Sequence, residues 1–172
     1  MILKPQDILV VLKLVALKQE KWTYNGLSVD LFMSPSEVHA AVKRAINARL
    51  LVDVRDKISV SRDAIKEFLV HGIKYVFMPE RGEITRGMPT IYTVPPLDTL
   101  LFSSDEPRPV WPHPTGEIRG MSFSPLYRSA PDAARKDQDL YSLLALVDAI
   151  RGGRAREREM AAKHLKHRID NS

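Results

Sequence analysis

Between Phe32 and Val52 the chain runs FMSPSEVHAAVKRAINARLLV, and its polar side chains recur at helical spacing. Taking Val38, Ala41, Val42, Ala45 and Ile46 as an inward stripe leaves Ser36, Glu37, His39, Ala40, Lys43, Arg44 and Asn47 outside. That outer set can do a definite chemistry. Lys43 and Arg44 suit phosphates or guanine, Asn47 suits adenine, and serine hydroxyls suit phosphate oxygens. Ser34 and the free amides after it form a helix start that favours an anion. Arg55 and Lys57 could add backbone or minor-groove contacts, diluted by Asp56 between them. The same residues would also be outside simply because that face is wet.

Other groups with reactive potential are sparser. His113 with Glu117 could act as an acid–base pair, but WPHPTGE has the composition of a turn-rich loop. His164 and His167 stand i,i+3 on one helix, a spacing a metal site can use, without a third ligand in view. Arg81, Gly82, Arg86 and Gly87 could cradle an anion or could form turns between strands, and the turns are favoured. No nucleophile motif, metal pattern or phosphate loop occurs, so the expectation is no enzyme, no cofactor and no metal.

The elements that must position the outer set can be read upstream and downstream of it. Ile8, Val11, Leu12, Val15 and Ala16 predict a helix from Pro5 to Glu20, with proline in the first turn. Thr23 predicts the cap of a short second helix burying Leu27 and Leu31. Ser34, Pro35 and Glu37 make a capping box that sets the start of the third. LLVDVRDKISVS predicts two short strands around Arg55-Asp56-Lys57, and Ser61 a helix ending at His71-Gly72.

Ten of the twelve prolines then fall between Pro79 and Pro131, which excludes long helices there. Tyr92, Phe102, Trp111, Phe123 and Tyr127 give this part enough apolar area to dock as an ordered, irregular wrap. IKYVF and TIYTV are its candidate strands. From Asp139, Leu140, Leu143, Leu144, Val147 and Ile150 form an apolar helical face, Gly152-Gly153 interrupts it, and a charged helix follows.

At 172 residues, 44% apolar and 27% charged, the chain has the composition of a globular protein with a real core. No apolar run approaches the roughly 20 residues of a membrane span. The acidic residues near the start and the lack of a small-residue cleavage site argue against a signal peptide. No cysteine is present, which excludes disulfides and thiolate metal sites and fits a reducing cytoplasm. The net charge of +5 permits a polyanionic partner. The excess of basic residues sits at both ends of the chain, and the middle is neutral.

Helix, short helix, tight turn, capped helix and hairpin is the order of a winged helix-turn-helix. TYNGLSVDLFMSPSEVHAAVKRA, Thr23 to Ala45, is similar without gaps to the helix-turn-helix of bacterial MarR-like winged-helix transcription regulators. The entry into the third helix, Met33 to Val38, carries most of the likeness. Gly26 departs from the Glu or Gln usual there. Phe32 stands where a turn glycine is usual, which predicts a departure from left-handed turn geometry. The whole chain also resembles an uncharacterised bacterial winged-helix group through TRG-P-T, a W-P motif and LYSLLALVDAIRGGRARER. Relatives of that kind lie beside nucleotidyltransferase-like genes, as antitoxins lie beside toxins.

The resemblance implies an α+β fold: a winged helix-turn-helix domain over 1–72, a proline-rich wrapping segment over 73–137, and C-terminal helices over 138–172. It implies a transcriptional regulator that binds duplex DNA sequence-specifically, with helix 35–50 in the major groove. A homodimer is expected, joined through Leu140, Leu143, Leu144, Val147 and Ile150, because reading two half-sites needs a two-fold partner. The alternative is an antitoxin-like protein that binds a partner enzyme, such as a nucleotidyltransferase, through the C-terminal helices.

Overall fold

A computed structural model describes residues 1–93, 95–99 and 106–172. It is an α+β structure. Pro5–Ala16 form α1, Tyr24–Leu31 α2 and Pro35–Asn47 α3, followed by the antiparallel hairpin β1 (Leu51–Val54) and β2 (Lys57–Val60). The local signals account for these elements. Thr23 Oγ1 accepts from the Gly26 amide at 2.9 Å, and Ser34 and Glu37 close a reciprocal capping box. Phe32 does adopt the left-handed conformation, at φ 53°, contrary to the expectation drawn from its bulk. Its backbone N–H closes α2 on the Ser28 carbonyl, and its ring lies beneath the Lys136 ammonium at 4.3 Å.

After the hairpin, α4 (Arg62–Glu67) does not stop at Gly72. It continues through a π-helical turn, Phe68–Gly72, into α5 (Ile73–Val76). IKYVF is therefore helical rather than a strand, and the boundary expected at residue 72 falls inside a continuous helical stretch. Thr90–Thr93 of TIYTV are likewise not a strand; Val94 and Phe102 lie outside the described residues.

The proline-rich section is more regular than a wrap. β3 (Arg81–Pro89) pairs antiparallel with both β4 (Pro109–Pro112) and β5 (Ile118–Phe123), and β4 and β5 pair parallel over two residues. Each strand thus touches the other two, and the strands approach closely at glycines. A Cβ on Gly120 would sit 2.1 Å from the Arg108 carbonyl oxygen, and one on Gly87 2.1 Å from that of Trp111. Gly87 serves strand packing, so the anion-cradle alternative loses one of its two glycines.

The chain ends in α6 (Ala130–Lys136), α7 (Gln138–Gly152) and α8 (Ala155–Asp170). Asp137 caps α7 by accepting the Leu140 amide at 3.0 Å. Here the association expectation is corrected. Leu140, Leu143, Leu144, Val147 and Ile150 are each at most 2% exposed, covered by their own chain. α7 packs on α1, α5, α6 and α8, and Ser142, Ala145, Leu146 and Ala149 are buried too. A helix buried around its whole circumference belongs in a core. The segments 1–72, 73–137 and 138–172 accordingly share one hydrophobic cluster.

Three charged contacts lock this core. Asp7 is fully buried and accepts from Arg44 Nε at 2.8 Å and Nη2 at 2.7 Å, joining α1 to α3. Lys13 bridges Asp137 at 2.8 Å and Asp30 at 3.1 Å. Asp148 on α7 accepts from Thr90 Oγ1, Trp111 Nε1 and Arg151 Nη1, each at 2.7 Å, while Arg151 Nε donates to the Phe77 carbonyl. Burial raises the Asp148 carboxyl above its ordinary pKa, and Arg151, Thr90 and Trp111 pull against that rise.

Candidate nucleic-acid interface

Folding divides the outer residues of α3 into two groups. Ser36, Ala40, Lys43 and Asn47 stand at i, i+4, i+7 and i+11, a single stripe opposite the buried Val38, Ala41 and Ala45. Among the described residues, no hydrogen bond or ion pair engages the Lys43 or Asn47 side chain. Their donors are therefore available.

The second group is already occupied. Arg44 was expected to face outward, but its guanidinium folds back onto Asp7 and is only 12% exposed. Hydrogen bonding to Asp7 raises its pKa further, so it is a fixed cation in a structural pair. Ser34 and Glu37 cap their own helix. The Ser34 amide donates to Glu37 Oε2 at 2.8 Å, and the Glu37 amide donates to Ser34 Oγ at 3.2 Å. Glu37 Oε1 accepts from the Tyr127 hydroxyl at 3.0 Å, and Arg128 lies at 3.6 Å. The Ser34 amide, the Ser34 hydroxyl and Tyr127 together hold the Glu37 carboxyl below its usual range. A carboxylate thus occupies the helix start that the sequence suggested for an external anion.

His39 is exposed and stacks on Tyr24, with centroids 3.6 Å apart and planes at 16°. Trp22 meets Tyr24 edge-on at 5.3 Å. Burial, followed by the charge of Asp53, raises the Tyr24 pKa. These aromatics stand outside the expected site, although KQEKWTY carries a visible signal: two lysines followed closely by two rings.

At the hairpin tip Arg55 and Asp56 both have positive φ, 53° and 63°, closing a two-residue turn between Val54 and Lys57. A turn with both central residues left-handed matches the strand twist. Arg55 and Lys57 are exposed, as expected of them.

His113 does not pair with Glu117. Its Nε2 lies 3.0 Å from Asp132 instead, and its Nδ1 accepts from the Thr115 amide at 3.2 Å. Arg135 donates to the Thr115 carbonyl at 2.9 Å, so this cluster ties the β4–β5 turn to α6. His164 and His167 gain no third ligand: among the described residues, no group of three or more His, Cys, Asp or Glu could hold a metal. No helix there is long and apolar enough to cross a membrane. Compared with known proteins, the chain matches no family model, no curated protein and no solved structure.

Proposed function

We propose that this chain is a winged-helix protein that binds duplex DNA sequence-specifically as a cytoplasmic transcriptional regulator, with α3 in the major groove. The observation that carries this reading is the outward stripe Ser36, Ala40, Lys43 and Asn47, with Lys43 and Asn47 unengaged among the described residues, on a capped helix that leads directly into an exposed hairpin. Small residues on such a stripe allow close approach, while Lys43 and Asn47 offer donors to guanine and adenine. His39 flanks the stripe, and Arg55 and Lys57 supply backbone contacts. Arg44 drops out because it holds Asp7. Two copies reading two half-sites would have to meet through a surface other than α7.

Among the described residues, Lys43, Arg55 and Lys57 are unpaired cations on this face, and they set a scale for the test. If each neutralises one phosphate, log affinity falls against log salt with a slope of about −2.7 per copy. The experiment is selection from a randomised duplex pool, followed by anisotropy titrations across salt. Lys43→Ala should leave the melting temperature unchanged and reduce the slope by about 0.9. Failure to enrich any duplex, or an unchanged slope in Lys43→Ala/Arg55→Ala/Lys57→Ala, would overturn the reading.

A second reading rests on a different observation. Tyr75, Val76 and Met78 are 73%, 55% and 71% exposed at the end of α5, an apolar group that favours a protein partner. In that reading the chain binds and restrains a partner enzyme. Tyr75→Asp/Met78→Asp would then release a stoichiometric co-purifying protein while leaving duplex affinity unchanged.

A further inference from the structure

Between the end of α1, the α1–α2 connection and the hairpin lies an open cleft of about 780 Å³. Leu14, Trp22, Tyr24, Ile58 and Val60 give it apolar and aromatic walls. Four basic residues line it against two acidic ones, Glu20 and Asp56. We propose that this cleft binds a nucleotide, with the base against Trp22 and Tyr24 and the phosphate among Lys18, Lys21 and Lys57.

Charge is the first argument. Arg62, the fourth basic residue, is held by the Ser172 carbonyl. Among the described residues, Lys18, Lys21 and Lys57 form no ion pair with any neighbour, Glu20 and Asp56 included. Three ammonium groups gathered around one cavity repel each other, and an anion relieves that repulsion.

Ring geometry is the second. Tyr24 and Trp22 meet at 85°, forming an aromatic corner, and Tyr24 is braced by the His39 ring. Bases of every type stack on such surfaces, and cations beside them track the phosphates. The cleft volume also lies in the roughly 300–1,000 Å³ range of small-molecule sites, more than a bare inorganic anion needs. The nucleotide can be free or one unit of an unpaired strand. Both sources present the same base and phosphate, and the inference stands apart from duplex reading by α3.

The chain has two tryptophans, and Trp111 is fully buried, so ligand-dependent emission reports on Trp22. The intact chain is titrated with adenosine monophosphate, with adenosine, and with an eight-residue oligodeoxyadenylate. N-acetyltryptophanamide corrects for absorption by the ligands. Saturable quenching by the monophosphate assigns a free nucleotide, and quenching by the oligonucleotide alone assigns an unpaired strand. Either result requires adenosine to bind at least about tenfold more weakly, and Lys18→Ala/Lys21→Ala, which leaves the hairpin's Lys57 in place, to weaken binding by about tenfold at an unchanged melting temperature. No saturable change with either phosphate-bearing ligand, adenosine equal to its monophosphate, or an unaffected lysine variant would overturn the proposal. Duplex affinity of Lys43→Ala is measured separately, so either reading can fail while the other stands.

Discussion

Arg44→Ala should destabilise the whole chain, although its neighbour Lys43 can be removed without cost. The substitution strips a fully buried carboxylate of the bonds from Arg44 Nε and Nη2, at 2.8 and 2.7 Å. Among the described residues, only the Lys4 amide would still donate to the Asp7 carboxylate, at 2.8 Å. Breaking one side of a buried pair costs about 3–5 kcal/mol, because the remaining charge stays desolvated. For a chain of this length that is a fall of about 6–20 °C in melting temperature. Urea unfolding followed by far-ultraviolet circular dichroism at pH 7 would measure it, with an unchanged m-value identifying a stability effect. Lys43→Ala in the same assay should stay within about 0.5 kcal/mol of wild type. Asp7→Asn/Arg44→Met should recover much of the loss, since the amide oxygen can still accept from Lys4 and no charge remains buried. A cost below about 1 kcal/mol for Arg44→Ala, the range of surface pairs, would refute the argument.

Three further outcomes follow from the core. Leu143→Ala should cost about 2–5 kcal/mol and lower the melting temperature, with no folded monomer released from a dimer; light scattering alongside the melt distinguishes the two. Gly120→Ala should lose about 1–3 kcal/mol in urea unfolding, because the new methyl meets the Arg108 carbonyl, a backbone atom that cannot rotate away. Burial alone would raise the Asp137 carboxyl, but Lys13 and the Leu140 amide outweigh it and hold the group below its ordinary value. Its stabilising contribution is therefore present above the unfolded aspartate value of about 3.9 and lost as pH falls through the lower folded value. The urea midpoint should drop below about pH 4 in wild type and less steeply in Asp137→Asn, and parallel curves would contradict this.

Local grammar made the N-terminal elements legible. Thr23, Ser34 with Glu37, and the apolar periodicities of α1 and α3 are signals within one or two turns, and the structure uses each of them. Arg44 was misplaced because it borders the stripe and its partner lies 37 residues away. Only the packing of α1 on α3 reveals that pairing. IKYVF has the β-branched and aromatic residues of a strand, yet the helix before it continues, because Gly72 stays at φ −103° instead of turning left-handed. β3 was obscured by the opposite bias, since Gly82, Gly87 and Pro89 disfavour strands unless close contacts demand them. In α7 the leucine stripe drew attention from Ala145, Leu146 and Ala149 on the other faces, which mark a helix buried all round. Ser142, Asp148 and Arg151, buried on the same helix, are the sequence trace of a polar core.

The encirclement of α1 has a consequence for synthesis. Ile8 to Val15 are all buried, Lys13 among them, and α7 covers part of that helix. α1 is made before its cover, which ends at Gly152, 136 residues beyond Ala16. At roughly 5–20 residues per second, the nascent chain carries an uncovered apolar helix for about 7–27 s. Until then α2, α3 and the hairpin can close only one side of it. Final consolidation therefore waits until α7 has been made, and a ribosome that stalls in the proline-rich middle holds out a sticky, half-built protein.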